Sequence, residues 1–274
     1  MRKILTGVVL VASLFACSQE TEEKIEPIEE KVSSDVKIMT FNIFGGFPRG
    51  ADRNDLADYD LDAIIRTIKS SNSDIIGLNE ISKGHKAATN YEDQPQIIAE
   101  ALGYYYDFYG LEVSGKYGVA LLSKYPILGI SHTKYEIQGD HEKGYIEAKI
   151  QHPEGDLWVY VTHLESGDEL VRYYEIQELK KASAILGEVP KLIMGDFNFT
   201  PDSDNHSFMT EGEFIDPLGK NLSPNTFNLA TPKRIDYIMG NSKIKFVQEP
   251  WADTTDKTSD HFPVWAEINF VTNK

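Results

Sequence analysis

Short apolar runs that end in polar residues alternate along this chain with a few segments of helical periodicity. Leu61, Ile64, Ile65 and Ile68 are spaced as i, i+3, i+4 and i+7, which places them on one face of a helix that Asp60 can cap. The pattern predicts helices over residues 61–68, 97–102 and 168–187. It predicts strands over residues 36–43, 74–78, 104–109, 117–123, 127–137, 145–151, 157–162, 191–195, 234–239, 243–249 and 262–270.

The order of these elements predicts the fold class. Helices separate the early strands, several strands then follow one another directly, and neither a linker nor a repeat divides the run. Two mixed β-sheets packed face to face, with helices on both outer faces, satisfy this order. The prediction is an α/β fold, a four-layer α/β/β/α sandwich, in one domain over residues 35–272.

The N-terminus has the features of a targeting segment. Arg2 and Lys3 precede an apolar run over residues 4–16, which is shorter than the roughly 20 residues of a membrane-spanning helix. Cys17, the only cysteine, follows Leu14-Phe-Ala in a sequence that resembles a bacterial lipobox. We expect a lipoprotein signal peptide over residues 1–16 and a lipidated Cys17; an ordinary cleaved signal peptide is the alternative.

The segment that follows Cys17 is charged, contains proline and lacks apolar periodicity, so residues 17–34 are predicted to be an acidic flexible tether. The expected location is the bacterial cell envelope, facing the periplasm or the exterior. Because a serine follows Cys17, the outer membrane is favoured.

The overall charge bears on the partners of the protein. The formal net charge is −16 and the pI is about 4.8. Proteins that bind long stretches of nucleic acid usually present a basic surface, since phosphate contacts supply much of the affinity. The composition therefore makes a nuclease less favoured without excluding it.

Seven short segments place polar residues at or near predicted strand ends. They contain, in order, Asn42, Glu80, the Gly118–Pro126 strand, His163, the pair Asp196 and Asn198, Asp236, and the pair Asp260 and His261. Carboxylate and amide oxygens suit a hard divalent cation, and histidine titrates in the range needed to activate water. Together the segments suggest one site for phosphate-ester hydrolysis.

These motifs resemble the endonuclease/exonuclease/phosphatase superfamily, which has the deoxyribonuclease I-like fold. The resemblance covers nearly all of residues 36–270 and is most specific at Gly195-Asp-Phe-Asn198 and Ser259-Asp-His261, with Arg234-Ile-Asp-Tyr237 between them.

The resemblance also implies a role for each site residue. It implies a Mg²⁺ site, with Mn²⁺ as the alternative, in which Glu80 is the principal ligand and Asn42 and Asp260 contribute. It implies that His261 is the base oriented by Asp236. Asp196 would align the attacking water, Asn198 would bind a phosphoryl oxygen, and His163 would contact the phosphate and stabilise the transition state or protonate the leaving oxygen.

Four departures weaken a duplex-DNA assignment. The supporting glutamate that many nuclease members have before the Gly-x-Ala strand is Tyr117 here, and the usual Gln before the metal-binding Glu is Asn79. Ser82 and Phe44 replace an Arg and an Asp that DNA-acting members use.

The prediction is an envelope-anchored, monomeric, metal-dependent phosphoesterase that acts on a small or lipid-derived ester. The alternatives are a secreted endonuclease or exonuclease acting on DNA or RNA, and a non-catalytic ligand-binding module on the same fold. Specificity is expected from loop residues at the rim of the site: Arg49, Arg53, Lys83, Lys86 and Lys116 for charge, and Tyr91, Tyr117 and Trp251 for stacking.

Overall fold

A computed structural model describes residues 30–86, 89–227, 231 and 233–273 of the chain. The predicted signal peptide, Cys17 and the tether up to residue 29 lie outside the described residues. Within the described part, no helix combines the length and the apolarity needed to cross a membrane.

The described residues form twelve strands, five helical segments and two short 3₁₀ turns, at Phe44–Gly46 and Leu56–Asp58. The strands are β1 Glu30–Val32, β2 Val36–Asn42, β3 Ile75–Ser82, β4 Tyr105–Leu111, β5 Tyr117–Ser123, β6 Ile127–Lys134, β7 Gly144–His152, β8 Gly155–His163, β9 Lys191–Asp196, β10 Asp236–Gly240, β11 Ile244–Ala252 and β12 Val264–Asn273. The helical segments are α1 Leu61–Ser71, α2 Gln94–Leu102, α3 Glu112–Gly115, α4 Glu169–Ile185 and α5 Asp204–Thr210.

The strands form two mixed sheets. The first has the order β1-β12-β2-β3-β5-β4, and β11 also pairs with β12. The second has the order β10-β9-β8-β7-β6. Only β2–β3 and β8–β9 are parallel pairs among the described strands. The predicted four-layer sandwich is confirmed, since helices cover the outer face of each sheet.

Three apolar clusters among the described residues hold these layers together. Alternate strand side chains point to opposite faces of a sheet, so a sheet covered on both faces buries apolar side chains on each. One lies between the sheets and includes Val161 and Met194. The second packs α1 and α2 against the first sheet through residues such as Ile64 and Ile98. The third packs α4 and α5 against the second sheet through residues such as Ile176. Burial of these side chains is the main stabilising contribution to the fold.

The structure corrects the predicted end of the tether. Glu30–Val32 pairs antiparallel with Val271–Asn273 of β12, and the Ser33 N–H donates to the Phe270 carbonyl at 2.9 Å. β12 extends beyond its other neighbours and leaves backbone groups that the incoming chain satisfies. Backbone pairing needs no apolar periodicity, which is why the composition alone did not reveal this strand.

Candidate active site

The two parallel strand pairs bring the predicted site residues together. Asn42 at the end of β2 lies in register with Asn79 in β3. In the second sheet His163 and Asp196 are register partners at the ends of β8 and β9, and Asp236 begins β10 opposite Asp196. Because carboxyl ends of parallel strands share one edge of a sheet, the two edges place these side chains around one opening.

Close approach of β8 and β9 requires a glycine immediately before Asp196. Gly195 has φ +145°, and a Cβ at that position would lie 1.9 Å from the carbonyl oxygen of Thr162. The predicted Gly-Asp motif therefore has a steric basis, because only glycine lets the backbone that carries Asp196 lie against β8.

Asn42 connects the two sheets at the centre of the site. Its amide nitrogen donates to Glu80 and to Asp196, both at 3.1 Å, and lies 3.4 Å from His261 Nε2. Its Oδ1 accepts from the Phe44 N–H at 3.1 Å. In this arrangement Asn42 orients the carboxylates of Glu80 and Asp196. The role of Asn42 as a metal ligand stays a prediction.

Glu80 lies at an irregularity in β3, with the unusual backbone angle φ +55°. The Tyr117 hydroxyl donates to Glu80 Oε2 at 2.5 Å, and Arg53 donates to the Tyr117 oxygen at 2.7 Å. Burial acts to raise the pKa of Glu80, but the nearby His163 and Arg53 and the hydrogen bonds lower that pKa to about 2. Glu80 is therefore an anion throughout the physiological range.

His261 and Asp236 form a buried pair. His261 Nδ1 lies 2.9 Å from Asp236 Oδ2, which leaves Nε2 toward Asp196, 3.6 Å from its Oδ2. Burial acts to lower the pKa of His261, but Asp236 and then Asp196 raise it to about 10. The Asp236 N–H and the Ile235 N–H both donate to Thr226 Oγ1 at 3.0 Å, which anchors the segment that carries the carboxylate.

Within the candidate site, Asp196 and Asp260 are the carboxylates whose pKa values rise. Burial, and then the charge of Asp236, raise the pKa of Asp196 to about 7. Burial also raises the pKa of Asp260 to about 6, with Glu80 acting in the same direction. In the protein alone, nearby positive charge is therefore too small to hold either carboxyl group at its usual pKa.

His163 contacts the same cavity from β8. Its Nε2 lies 3.5 Å from Asp196 Oδ2, and its Nδ1 lies 3.5 Å from Lys143 Nζ. Burial, and then the Lys143 charge, hold the pKa of His163 well below its usual range. The two predicted histidines therefore have opposite protonation preferences.

Asn198 does not continue β9, although a continued strand was one way to place it beside Asp196. The strand ends at Asp196, and Asn198 has φ +53°. Its Nδ2 donates to the Leu164 carbonyl at 2.9 Å, and its backbone N–H donates to Asp196 Oδ1 at 3.0 Å. The turn still brings the Asn198 side chain to the cavity wall.

Arg234 has a structural role next to the site. It binds Asp216 through both terminal nitrogens, at 3.2 and 2.8 Å, and His206 Nε2 lies 2.8 Å from the same carboxylate. The Tyr237 hydroxyl donates to the Phe199 and Arg234 carbonyls. The Arg-Ile-Asp-Tyr motif is thus mainly structural, apart from Asp236.

A cavity of about 610 Å³ opens at the candidate site. Six predicted site residues line it: Glu80, His163, Asp196, Asn198, Asp260 and His261. It is also lined by residues that the sequence did not single out, of which all but Ser166 and Ile235 lie in loops expected at the rim, over residues 82–93, 110–117, 138–144 and 217–233: His85, Glu112, Val113, His141, Lys143, Ser166, Phe227, Lys233 and Ile235. Arg53, Lys86 and Tyr117 were expected at the rim and do line it. These loops have ordinary composition, so no sequence signal singled out the individual residues within them.

The other five expected rim residues do not line the cavity: Arg49, Lys83, Tyr91, Lys116 and Trp251. Lys83 pairs with Asp93 at 2.8 Å. Trp251 belongs to β11, packs on Trp265 with ring centroids 4.4 Å apart, and lines a separate groove on the first sheet. Lys83 and Trp251 both contact residues of other segments, which composition could not show.

The remaining five histidines were predicted to be surface residues, and this was wrong for two of them. His152 and His206 are buried, whereas His141 is exposed and His85 is half-buried, and these last two line the cavity. His132 is exposed and pairs with Asp107 at 2.5 Å. The burial arises because aromatic neighbours surround the rings: Tyr125 and Phe270 for His152, and Tyr237 for His206.

The donor set fits a hard divalent cation. Ligand atoms of Asp196, Asp236 and His261 lie within 4.8 Å of one another, and Glu80 and Asp260 face the same cavity. Asp236 Oδ1 is buried without a hydrogen-bond partner among the described residues. Oxygen-rich sites that combine carboxylates with room for water and substrate suit Mg²⁺ or Mn²⁺.

Comparisons with known proteins agree with this geometry. The chain is 26% identical over 249 residues to the Escherichia coli strain K12 protein called YbhP, covering 85% of this chain and 96% of that protein. An endonuclease/exonuclease/phosphatase structure from Bacteroides vulgatus superposes with a TM-score of 0.71 at 22% identity, covering 87% of this chain and all of that one. A mannosyl-6-phosphatase from Bacteroides thetaiotaomicron superposes with a TM-score of 0.69 at 17% identity, covering 85% and 99% of the two chains.

A sequence model of one family covers most of the chain. That model describes the Endonuclease/Exonuclease/phosphatase family and matches residues 39–261, a span that contains every predicted site residue. Members of this family are hydrolases that act on phosphate esters. The chain belongs to the endonuclease/exonuclease/phosphatase family.

Proposed function

We propose that this protein is a divalent-metal-dependent phosphoesterase that hydrolyses a small phosphate ester by in-line attack of water. The observation that carries the proposal is the buried His261–Asp236 pair, at 2.9 Å, beside three further carboxylates that face one cavity. A base held by a carboxylate and a set of oxygen ligands are the two components that such a reaction needs.

The chain's own residues divide the work. Asp236 holds the imidazole through Nδ1, so His261 Nε2 is the atom that takes the proton of the attacking water, while Asp196 orients that water. The new bond joins the water oxygen to phosphorus, and the bond from phosphorus to the leaving oxygen breaks. Asn198 and His163 contact the phosphoryl oxygens where negative charge grows.

Glu80, Asp260 and Asp196 would hold the cation, with Asn42 orienting Glu80 and Asp196. When bound, a divalent cation supplies positive charge that stabilises the developing negative charge and offsets the effect of the carboxylates on the His261 proton. Mg²⁺ is the favoured ion, and Mn²⁺ is the alternative.

The cavity supports a small substrate over a polymer. Its volume of about 610 Å³ lies in the range of small-molecule sites. Lys86, Lys143 and Lys233 provide local positive charge in a chain whose net charge is −16. A phosphomonoester or small phosphodiester, including a lipid headgroup, fits this combination better than long DNA or RNA.

The location of the protein is part of the proposal. Lipidation of Cys17 would tether the domain to the cell envelope. The serine that follows Cys17 favours the outer membrane by the bacterial sorting rule. We propose that the anchored protein is a monomer. Cys17→Ser should move the protein from the membrane fraction to the soluble fraction and abolish palmitate labelling. Unchanged membrane association would contradict the anchor.

The enzymatic proposal is tested with a substrate panel. The panel contains bis-p-nitrophenyl phosphate, p-nitrophenyl phosphate, inositol phosphates, nucleotides, sphingomyelin, RNA and plasmid DNA, each with Mg²⁺ and with EDTA. We expect EDTA-sensitive turnover of a small ester that His261→Ala abolishes and His132→Ala leaves intact.

Two outcomes would overturn the proposal. Faster cleavage of plasmid DNA than of any small ester would assign a nuclease. Ligand binding without turnover, unaffected by His261→Ala, would assign a binding module.

A further inference from the structure

The described chain enters the domain at the end of the sandwich opposite the candidate site. Glu30–Val32 (β1) pairs antiparallel with Val271–Asn273, the last residues of β12. β2 pairs antiparallel with an earlier part of β12, where the first residue of β2, Val36, lies opposite Ile268. β1 and β2 therefore run in the same direction along β12, away from the chain entry and toward Asn42 at the site.

The strand register gives the distance between the chain entry and the site. Asn273, the partner of Glu30, lies five residues beyond Ile268, and Val36, the partner of Ile268, lies six residues before Asn42. At about 3.3 Å per residue, this length of strand places the chain entry about 35 Å from the site.

The second sheet has the same polarity. The turn between β7 and β8 lies against the entering chain: the Ser34 N–H donates to Glu154 Oε2 at 2.5 Å, and the Thr272 hydroxyl donates to the Glu154 carbonyl at 3.3 Å. From this turn β8 runs from Gly155 to His163, which lines the cavity. The nine residues of β8 span about 26 Å, so the chain entry and the cavity lie at opposite ends of this sheet as well.

A short segment connects this entry to the proposed lipid anchor. Thirteen residues, 17–29, separate the start of the tether from Glu30. In any conformation such a segment spans at most about 45 Å, and a flexible coil of that length spans about 20 Å on average. To bring the cavity to the membrane surface, the domain must invert and lift its entry about 35 Å above the bilayer. That position needs nearly the whole length of the segment, which a flexible chain rarely adopts.

Electrostatics do not favour inversion. Among the described residues four lysine and arginine side chains line the cavity, and two of them face carboxylates: Lys143 lies 3.2 Å from Glu112, and Arg53 lies 3.6 Å from Glu80. The chain as a whole has a formal net charge of −16. An anionic leaflet therefore attracts little of this protein and repels most of it.

We propose that the anchored protein presents its active site away from the membrane that holds it, and that its substrate is a water-soluble phosphate ester. This inference rests on the proposed function and on lipidation of Cys17. It chooses one source among the esters that fit the cavity, since a headgroup in the surrounding leaflet shares the phosphate chemistry but lies out of reach. The length of the tether and its point of attachment thus restrict the substrate class.

Energy transfer to the membrane tests the orientation without any substrate. Cys17 is the only cysteine and the lipid blocks its thiol, so an introduced cysteine accepts a single fluorophore. Glu188→Cys labels the entry end, because Glu188 is exposed and lines one groove with Glu154 and Thr272. Val113→Cys labels the opening of the cavity, where Val113 is exposed.

The full-length lipidated variants are reconstituted in vesicles of phosphatidylethanolamine and phosphatidylglycerol that contain an acceptor lipid. We expect the transfer efficiency from the Glu188→Cys label to exceed that from the Val113→Cys label by about 2-fold or more, because the two heights differ by about 30 Å. The same labels on unlipidated Cys17→Ser protein give the background. Equal efficiencies, or a higher efficiency from Val113→Cys, would overturn the proposal.

Two esters with the same reacting group test the consequence for the substrate. Ethyl p-nitrophenyl phosphate is soluble, whereas hexadecyl p-nitrophenyl phosphate lies in the vesicle that carries the anchored enzyme. At equal bulk concentration, we expect the membrane ester to be cleaved at less than about one tenth of the rate of the soluble ester. Insertion of about 20 Gly and Ser residues after Glu26 should raise cleavage of the membrane ester about 10-fold, because the longer tether permits inversion, and should leave the soluble ester unaffected.

The outcomes separate this inference from the phosphoesterase assignment. Faster cleavage of the membrane ester than of the soluble ester, with no gain from the longer tether, would overturn the proposal. If neither ester is cleaved, the phosphodiesterase assignment fails, and energy transfer still decides the orientation. Absence of lipid on Cys17 would overturn the inference as well, because the geometry would then have no membrane as its reference.

Discussion

Asn79 Oδ1 in the first sheet accepts a hydrogen bond from the backbone N–H of Asp196 in the second sheet, at 3.0 Å. The amide nitrogen of the same side chain donates to the Thr162 carbonyl at 2.7 Å. One buried amide thus satisfies two backbone groups of the opposite sheet next to the candidate site. It joins the two halves of the site where the sheets meet.

Removing that link should be costly. Asn79→Ala leaves the Asp196 N–H and the Thr162 carbonyl without this partner in a buried position, which we expect to lower the free energy of unfolding by about 2–4 kcal/mol. Urea denaturation measures the loss, with the exposed Asn54→Ala as the control. A loss below about 0.5 kcal/mol would show that the connection between the sheets does not depend on Asn79.

Tyr117 should tune the affinity for the cation through Glu80. Tyr117→Phe removes the donor to Glu80 Oε2 and the acceptor for Arg53 while keeping the ring. We expect Mg²⁺ affinity, measured by calorimetry and by the metal dependence of turnover, to fall about 10-fold to 100-fold. Tyr105→Phe, at an exposed position of β4, should leave the affinity unchanged. Equal affinities for wild type and Tyr117→Phe would refute the role of this hydroxyl.

Asp236 should control the basicity of His261. Asp236→Asn keeps the shape of the pair and removes the charge that raises the His261 pKa, so we expect kcat to fall by about 10²-fold to 10⁴-fold. The pKa of His261, followed by NMR titration, should fall as well. Asp107→Asn is the matched control, since Asp107 pairs with His132 at the surface. Wild-type turnover in Asp236→Asn would remove His261 from its role as base.

Glu175 should make the stability of the domain depend on pH. Burial raises the pKa of Glu175 from 4.5 to about 8, so the native state keeps a proton that the unfolded state releases. Its contribution is fully favourable below about pH 4.5 and is lost as the pH rises from there to about 8, by at most about 1.4 kcal/mol per pH unit.

Glu175→Gln tests this dependence. The glutamine has no proton to lose, so the variant should gain stability relative to wild type between about pH 4.5 and about pH 8, with no further gain above that range. Urea denaturation at several pH values measures the difference. Glu188→Gln, at an exposed position, should show none. Parallel stability curves for wild type and Glu175→Gln would contradict the shifted pKa.

Several features of the fold could be predicted from local pattern alone. The i, i+3, i+4, i+7 spacing after Asp60 predicted α1, and the structure shows Asp60 Oδ1 accepting from the Ala63 N–H as its cap. Apolar runs predicted β5 and most other strands to within a few residues. These elements depend on side chains and backbone groups that are near one another in sequence, which is why periodicity detects them.

Other features depended on pairing between distant segments. The last residues of the predicted tether form a strand because β12 offers backbone groups for pairing. Trp251 lies away from the site because it belongs to β11 and packs on Trp265. His206 is buried beneath Tyr237 although its neighbours in sequence are polar. No local pattern encodes these positions.

The sequence by itself determined the α/β class and the order of the strands along the chain, because strand periodicity is a local property. Motif spacing is also local, and it identified the site residues Asn42, Glu80, His163, Asp196 and His261. Only the tertiary structure decided which group lies beside each of these residues: Tyr117 beside Glu80, Asp236 beside His261 and Lys143 beside His163. These partners come from other strands and loops, and their distances follow from sheet register and layer packing. Protonation depends on those distances, because burial and charge act through space.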